Sequence, residues 1–208
     1  MGFEFKANYD VIVVGGGPAG IMAALASAKA GAKTLLVERL GFLGGTATNS
    51  VIGPISPFHF GDEQVINGIP QNFMDELMAS GGSPGHLKTL DPYGSGASLG
   101  FYDREKYKYV AQEMMVKAGV DILFHTFVRS VVKSGNTVTG LVVSSREKDF
   151  TFSCKQVVDC TGDGDVAVKA GEEFVFGDEV THKAQPGSSM FEMADVDVEK
   201  TYDYIVNN

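Results

Sequence analysis

The stretch Asp10-Val11-Ile12-Val13-Val14-Gly15-Gly16-Gly17-Pro18-Ala19-Gly20 decides the fold. Asp10 to Val14 is a short apolar run closed by three glycines, which reads as a strand buried on both faces. Pro18 stands where a helix opens, because its missing N–H would be an orphan in the first turn anyway, and the alanine-rich run from Ala19 to Ala30 is strongly helix-forming. Gly31 stops that helix, and Lys33 to Glu38 reads as a second strand. Residues 10–38 are therefore one βαβ unit, which implies parallel strands and a right-handed crossover.

Gly15, Gly17 and Gly20 spell GxGxxG directly after a strand and at the mouth of a helix, the context a dinucleotide fingerprint requires. In that pattern Gly15 permits the tight turn, Gly17 lets backbone approach a pyrophosphate, and Gly20 allows close packing of helix on strand. The anion is held by backbone N–H groups and the positive end of the helix dipole, so an acidic chain can bind it. Glu38 closes the second strand about 20 residues further on, where a carboxylate accepts hydrogen bonds from ribose hydroxyls and disfavours a 2′-phosphate. The fingerprint leaves NAD and FAD open. A second flexible, hydroxyl-bearing turn at Gly44-Gly45-Thr46-Ala47-Thr48 offers a longer cofactor a path beyond the first unit.

Further out, residues 39–68 carry Gly, Pro, Thr and Phe without steady period and read as mostly irregular backbone wrapped around something. Ile69 to Ser80 reads as a helix, and 80–100 as a glycine-rich surface excursion. Asp103 is a good N-cap for an amphipathic helix that carries Tyr107, Val110, Ala111, Met114 and Ala118 and ends at Gly119. Asp121 to Thr126 reads as a strand. A β-meander follows, with strands Phe127–Lys133, Thr137–Ser145 and Phe150–Cys154, and then a short buried strand Val157–Cys160. A helix is expected over Asp165–Ala170, strands near Phe174–Phe176 and Ser188–Met193, and the start of a helix over Val198–Val206.

Composition sets outer bounds. The 208 residues carry 17 basic and 26 acidic side chains, a net charge of −9, with no block of Lys and Arg, which argues against nucleic acid and anionic membrane as partners. No run approaches the roughly 20 apolar residues of a membrane span, and the N-terminus has no signal-peptide core. Cys154 and Cys160 are too few and too widely spaced for a disulfide framework or a zinc site, so a reduced, cytoplasmic protein without a metal is expected. The 26 glycines stand well above an average near 7%.

The pieces GGGPAG, VER, GFLGGTAT, the helix opening Tyr102-Asp103-Arg104, AGVDILFHTFV and VVDCTGDGDVAVKAG, in order over residues 9–198, resemble the FAD-dependent oxidoreductases related to fumarate reductase and succinate dehydrogenase flavoproteins. The resemblance implies an α/β fold: a Rossmann-like, glutathione-reductase-type FAD-binding domain whose parallel sheet has an antiparallel β-meander in place of one crossover helix. It implies FAD, with Gly15, Gly17, Pro18, Ala19 and Gly20 at the pyrophosphate and Glu38 and Arg39 at the adenosine end. Gly44, Gly45, Thr46, Ala47 and Thr48 fall at the ribityl and flavin side, Val128 where backbone pairs with adenine, and Thr161-Gly162 on an Ala-Thr-Gly motif with Cys160 in the alanine place. Residues 38–48 hold no histidine for a covalent flavin link, so the FAD is expected to be non-covalent.

Family members are about twice as long, which implies an FAD-binding domain over 1–177 with an insertion around 50–100. It also makes 178–208 the start of a truncated substrate or cap domain, with the catalytic groups beyond the chain end. The expected function is an FAD-dependent oxidoreductase acting on a small organic substrate. The alternatives are a non-catalytic dinucleotide-binding module or subunit completed by another segment, and an NAD-dependent dehydrogenase.

Asp163 and Asp165 precede a helix, where carboxylates cap orphan N–H groups, and both are also candidates for a cofactor hydroxyl. His59, after the double glycine, is a candidate to face the flavin, but without a readable partner a packed or solvent-facing histidine is the favoured reading. His125, expected inside a strand, and His182, in a polar loop, have no readable partner. No GxSxG elbow anchors a hydrolase.

Overall fold

A computed structural model describes residues 7–88, 97–146 and 148–207. The chain runs β1 (Asn8–Val14), α1 (Pro18–Lys29), β2 (Thr34–Val37) and the single turn α2 (Thr46–Asn49). Three two-residue strands follow, β3 (Pro54–Ile55), β4 (His59–Phe60) and β5 (Glu63–Gln64), and then α3 (Ile69–Ala79), β6 (His86–Lys88), β7 (Ser98–Phe101), α4 (Arg104–Lys117) and β8 (Asp121–Leu123). The meander is β9 (Thr126–Ser134), β10 (Thr137–Ser145) and β11 (Lys148–Asp159), followed by α5 (Asp165–Ala170) and α6 (Val198–Asn207).

The main sheet has the order β8-β2-β1-β11-β10-β9. Its first four strands are parallel, and β10 and β9 pair antiparallel. From β1 the chain moves to β2 on one side, and returns much later as β11 on the other. The carboxyl end of β1 is thus a topological switch point, where open α/β sheets bind ligands. Alternation along β1 splits the core. Val13 packs with Ile21, Leu25, Tyr107, Val110 and Met115 under the helices, whereas Ile12 and Val14 pack with Leu141, Val143 and Phe152 brought round by the meander.

The structure corrects three local expectations. Val157–Cys160 is no separate strand: it continues Phe150–Cys154 as one twelve-residue β11, whose first half pairs antiparallel with β10 and whose second half pairs parallel with β1. Residues 121–126 break after Leu123, so His125 lies between two strands at φ 52. The segment 39–68 is mostly irregular as expected, with α2 and β3 to β5 as short pieces within it, and β3, β7 and β6 make a small separate sheet. Phe174–Phe176 and Ser188–Met193 form no strands; every residue from 171 to 207 is exposed, and an apolar run with no partner strand has nothing to pair with. The excursion expected over 80–100 falls in part on residues 89–96, outside the described residues. Among the described residues, no helix is long and apolar enough to cross a membrane.

Candidate functional site

At the end of β1 the backbone turns sharply at Gly15, whose φ is +95° and whose absent Cβ would lie 2.3 Å from the Cys160 carbonyl oxygen. Only glycine fits there. Its N–H donates to the Val37 carbonyl at 2.8 Å, and the Cys160 N–H donates to Val14 at 2.8 Å, which ties the ends of β1, β2 and β11 together. Gly20 is bare for a different reason: a Cβ would sit 1.7 Å from the Gly15 carbonyl oxygen, so the first turn of α1 rests directly on the loop. Gly17 has an ordinary φ of −72°, and a Cβ on it would meet no protein atom nearer than Gly45 Cα at 3.8 Å. The space beside Gly17 is cavity. No side chain caps α1, so its first N–H groups open toward that cavity with the positive end of the helix dipole.

The second glycine turn leans on the first. Gly44 N–H donates to the Gly16 carbonyl at 2.8 Å, and a Cβ on Gly45, at φ +50°, would lie 2.8 Å from Gly17 Cα. Of residues 44–48, Gly45 and Thr46 line the cavity, joined by Asn49 and Ser50. Gly44 and Ala47 are buried, and the Thr48 hydroxyl donates to the Leu43 carbonyl at 2.9 Å inside the core. Thr48 and Ala47 therefore shape the turn from behind.

Glu38 is 5% exposed, and its carboxylate accepts from Gly16 N–H at 2.5 Å and from Leu40 N–H at 2.7 Å. It clamps the glycine loop to the backbone after β2 while still lining the cavity. Each oxygen retains acceptor capacity for a ribose hydroxyl.

The cavity has a volume of about 490 Å³. One end is walled by Glu38, Arg39, Thr126, Phe127 and Val128, the middle by Gly15, Gly17, Pro18 and Ala19, and the floor by Cys160, Thr161, Gly162, Asp165 and Lys169. Of the predicted residues, Gly20, Gly44, Ala47, Thr48 and Asp163 stay outside the lining; Asp163 is exposed. Leu40, Asn49, Ser50, Phe127 and Lys169 line it without a signal in the sequence pattern, and of the two candidate carboxylates Asp165 lines it while Asp163 does not. Asn49 and Ser50 simply continue the 44–48 run, and Lys169 is one helical turn beyond Asp165, a spacing that places both on one face.

Asp159 holds the floor. Its carboxylate accepts from Thr161 N–H and hydroxyl at 3.1 and 2.7 Å, and from the N–H groups of Val166 and Ala167 at 2.9 and 3.0 Å, so it caps α5 from outside the helix. Burial pushes this carboxyl up, but the hydrogen bonds together outweigh it and hold it below the usual 3.8. Burial, with the Asp159 charge beside it, pushes the Cys160 thiol up, so the Cys160 sulfur is a neutral thiol at neutral pH.

The histidines lie elsewhere. His59 Nδ1 is 3.0 Å from the Ser98 hydroxyl, which also accepts from the N–H groups of Phe58 and His59; that leaves its proton for the ring. His86 Nε2 pairs with Gln71 Oε1 at 2.9 Å, its ring centroid 5.0 Å from that of His59. His125 packs beneath Gly41, and His182 sits in an exposed turn. None of these lines the cavity.

The sequence model of the family described as FAD dependent oxidoreductase matches residues 10–208. Among curated proteins, the tRNA uridine 5-carboxymethylaminomethyl modification enzyme MnmG of Aliarcobacter butzleri is 32% identical over 168 residues, 74% of this chain and 24% of that protein. This chain thus spans about a quarter of that relative's length. Among solved structures, THI4 of Thermovibrio ammonificans matches with a TM-score of 0.57 at 24% identity, over 78% of this chain and 61% of that one. A geranylgeranyl bacteriochlorophyll reductase-like protein of Thermoplasma acidophilum matches with a TM-score of 0.58 at 23% identity, over 79% and 42%. At such identities these two likenesses speak to the fold, the Rossmann-like α/β arrangement described above.

Proposed function

Because the chain belongs to the FAD-dependent oxidoreductase family, whose cofactor is FAD, we propose that it forms the FAD-binding part of an enzyme that oxidises or reduces a small organic molecule. One observation carries this reading: the uncapped start of α1 and the bare backbone of Gly17 face one cavity that runs from residues 45–46 to residues 126–128. The residues fit the cofactor. The N–H groups around Gly17, Ala19 and Gly20 take the pyrophosphate, and Glu38, Arg39 and the backbone of Val128 take the adenosine end. Gly45 and Thr46 line the ribityl side, while Gly44, Ala47 and Thr48 hold that turn in place. Thr161 and Gly162 form the floor beneath, and Asp163 stays at its exposed rim.

When bound, the flavin carries the hydride or electron pair. The chain's own part is to fix the dinucleotide between two glycine turns and to keep the cavity floor uncharged at Cys160. Residues 38–48 offer no histidine, and we take the FAD to be held without a covalent bond. The likeness of residues 9–198 to the fumarate reductase and succinate dehydrogenase flavoproteins supports the same division: residues 1–177 as the FAD-binding domain with an insertion around 50–100, and 178–208 as the start of a substrate or cap domain.

The test is the visible absorption spectrum of the purified chain, before and after heat denaturation and centrifugation. A flavin band that moves to the supernatant is the expected result. A colourless protein that takes up NADH tightly and no added FAD overturns the proposal.

A further inference from the structure

A second cavity, of about 320 Å³, lies between the first turn of α1, α2, the β3 segment and the start of α3. Pro18 and Thr46 line both cavities, so the two are neighbours across one wall. The second is chemically unlike the first. Four aromatic residues, Phe58, Phe73, Tyr102 and Tyr107, line it together with Met22 and Ile55. The rings brace one another, with centroids 4.7 Å apart for Phe73 and Tyr107 and 5.1 Å apart for Tyr102 and Tyr107. Among the described residues, no Lys, Arg, His, Asp or Glu lines the cavity. The Tyr102 hydroxyl is already engaged, its one proton shared between the carbonyls of Ala47 at 2.8 Å and Ile52 at 2.6 Å.

Such walls discriminate by charge. A carboxylate entering here sheds its hydration and finds no cation to replace it. A flat apolar ring gains dispersion contacts and edge-to-face geometry with four rings already fixed in place. The size falls at the small end of ordinary ligand pockets, about 300–1,000 Å³.

We propose that this cavity is the substrate site of the flavoenzyme, and that its substrate is an uncharged, ring-bearing organic molecule and not a dicarboxylate. The proposal rests on the reading of the neighbouring cavity as the FAD site, since it is the shared wall at Thr46, on the ribityl and flavin side of that reading, that sets the ring near the flavin.

Methyl-¹³C methionine NMR on the full chain tests it, because Met22 lines the cavity while Met115 lies in the core under α4. Titration with indole is expected to move the Met22 methyl resonance saturably and to leave Met115 in place; succinate is expected to move neither. Ile55→Trp, which fills the cavity, is expected to weaken the indole response at least tenfold. Ile66→Trp, at the 38% exposed rim, serves as the second variant should the first not fold. Succinate moving Met22 at lower concentration than indole, or an indole response undiminished in the folded tryptophan variants, overturns the proposal. Flavin content of the same samples separates the two readings. Bound FAD without any indole response sinks the substrate site alone, and a saturable indole response in a protein that binds no FAD sinks the flavoenzyme reading, leaving only a ring-binding cavity.

Discussion

Gly15, Gly17 and Gly20 are one residue type with two kinds of work. A side chain at Gly15 or Gly20 collides with backbone at 2.3 or 1.7 Å, whereas one at Gly17 enters empty space. Gly20→Ala is therefore expected to lose at least about 1–3 kcal/mol of stability in urea unfolding, the cost of forcing a well-packed contact apart. Gly17→Val should unfold within about 1 kcal/mol of the parent, the cost of a poor N-cap residue, yet purify without flavin. Retained flavin in that variant removes the pyrophosphate from Gly17. Glu38 behaves differently from its sequence reading as a ribose ligand alone. Glu38→Ala orphans the buried Gly16 N–H and frees that of Leu40, so it should lower the stability of the cofactor-free protein by about 1–3 kcal/mol as well as weaken FAD binding. A thermal melt of the FAD-stripped variant checks this, and an unchanged midpoint rejects the clamp. The glycines were legible because their roles depend on near neighbours in the chain. The clamp was not, because it depends on the backbone after β2 folding back to place Leu40 beside the carboxylate.

At the scale of elements, α5 is only six residues long and borrows its cap from Asp159 at the end of β11. The folded carboxyl is held below its unfolded value, so the stability it contributes is present above pH 3.8 and lost as the pH falls through the lowered folded value. Asp159→Asn should thus be less stable than the parent at pH 7, with the difference shrinking below pH 3.8; melts at a series of pH values give the comparison, and a constant difference rejects it. The sequence shows the strand and helix on either side of this cap plainly. It does not show that β11 is continuous. The polar pair Lys155-Gln156 interrupts the apolar text where the strand passes from partner β10 to partner β1, and a change of partner leaves no local signal. The opposite error, strands at Phe174–Phe176 and Ser188–Met193, has the same cause: β-forming composition states a preference, and only a neighbouring strand realises it.

For the whole molecule, the packed portion ends near Gly171, and residues beyond it are exposed throughout, with the Arg104–Glu192 ion pair at 2.6 Å tying them back to α4. An exposed pair of this kind contributes little, about 0–1 kcal/mol. Limited trypsin digestion is expected to cut first after Lys183 and to leave a fragment that melts at the parent's temperature, read by mass spectrometry and circular dichroism. First cleavage within β1 to β11 contradicts this. The fold class, and the glycine turns beside which the first cavity opens, were thus readable from the fingerprint outward. The second cavity was not, since Met22, Ile55, Phe73 and Tyr102 come from four separate segments whose meeting no spacing announces.

The continuity of β11 also governs traffic. The Thr126–Val128 wall and the Cys160–Gly162 floor are anchored on one unbroken sheet, so they move together as a single rigid jaw. The opposing jaw is the segment 39–50, tethered near its middle by the Gly44–Gly16 hydrogen bond. The His125 N–H to the Leu40 carbonyl and the Tyr102 hydroxyl to the Ala47 carbonyl hold it on either side of that bond, so a ligand of this cavity is expected to enter and leave by loosening several ties at once.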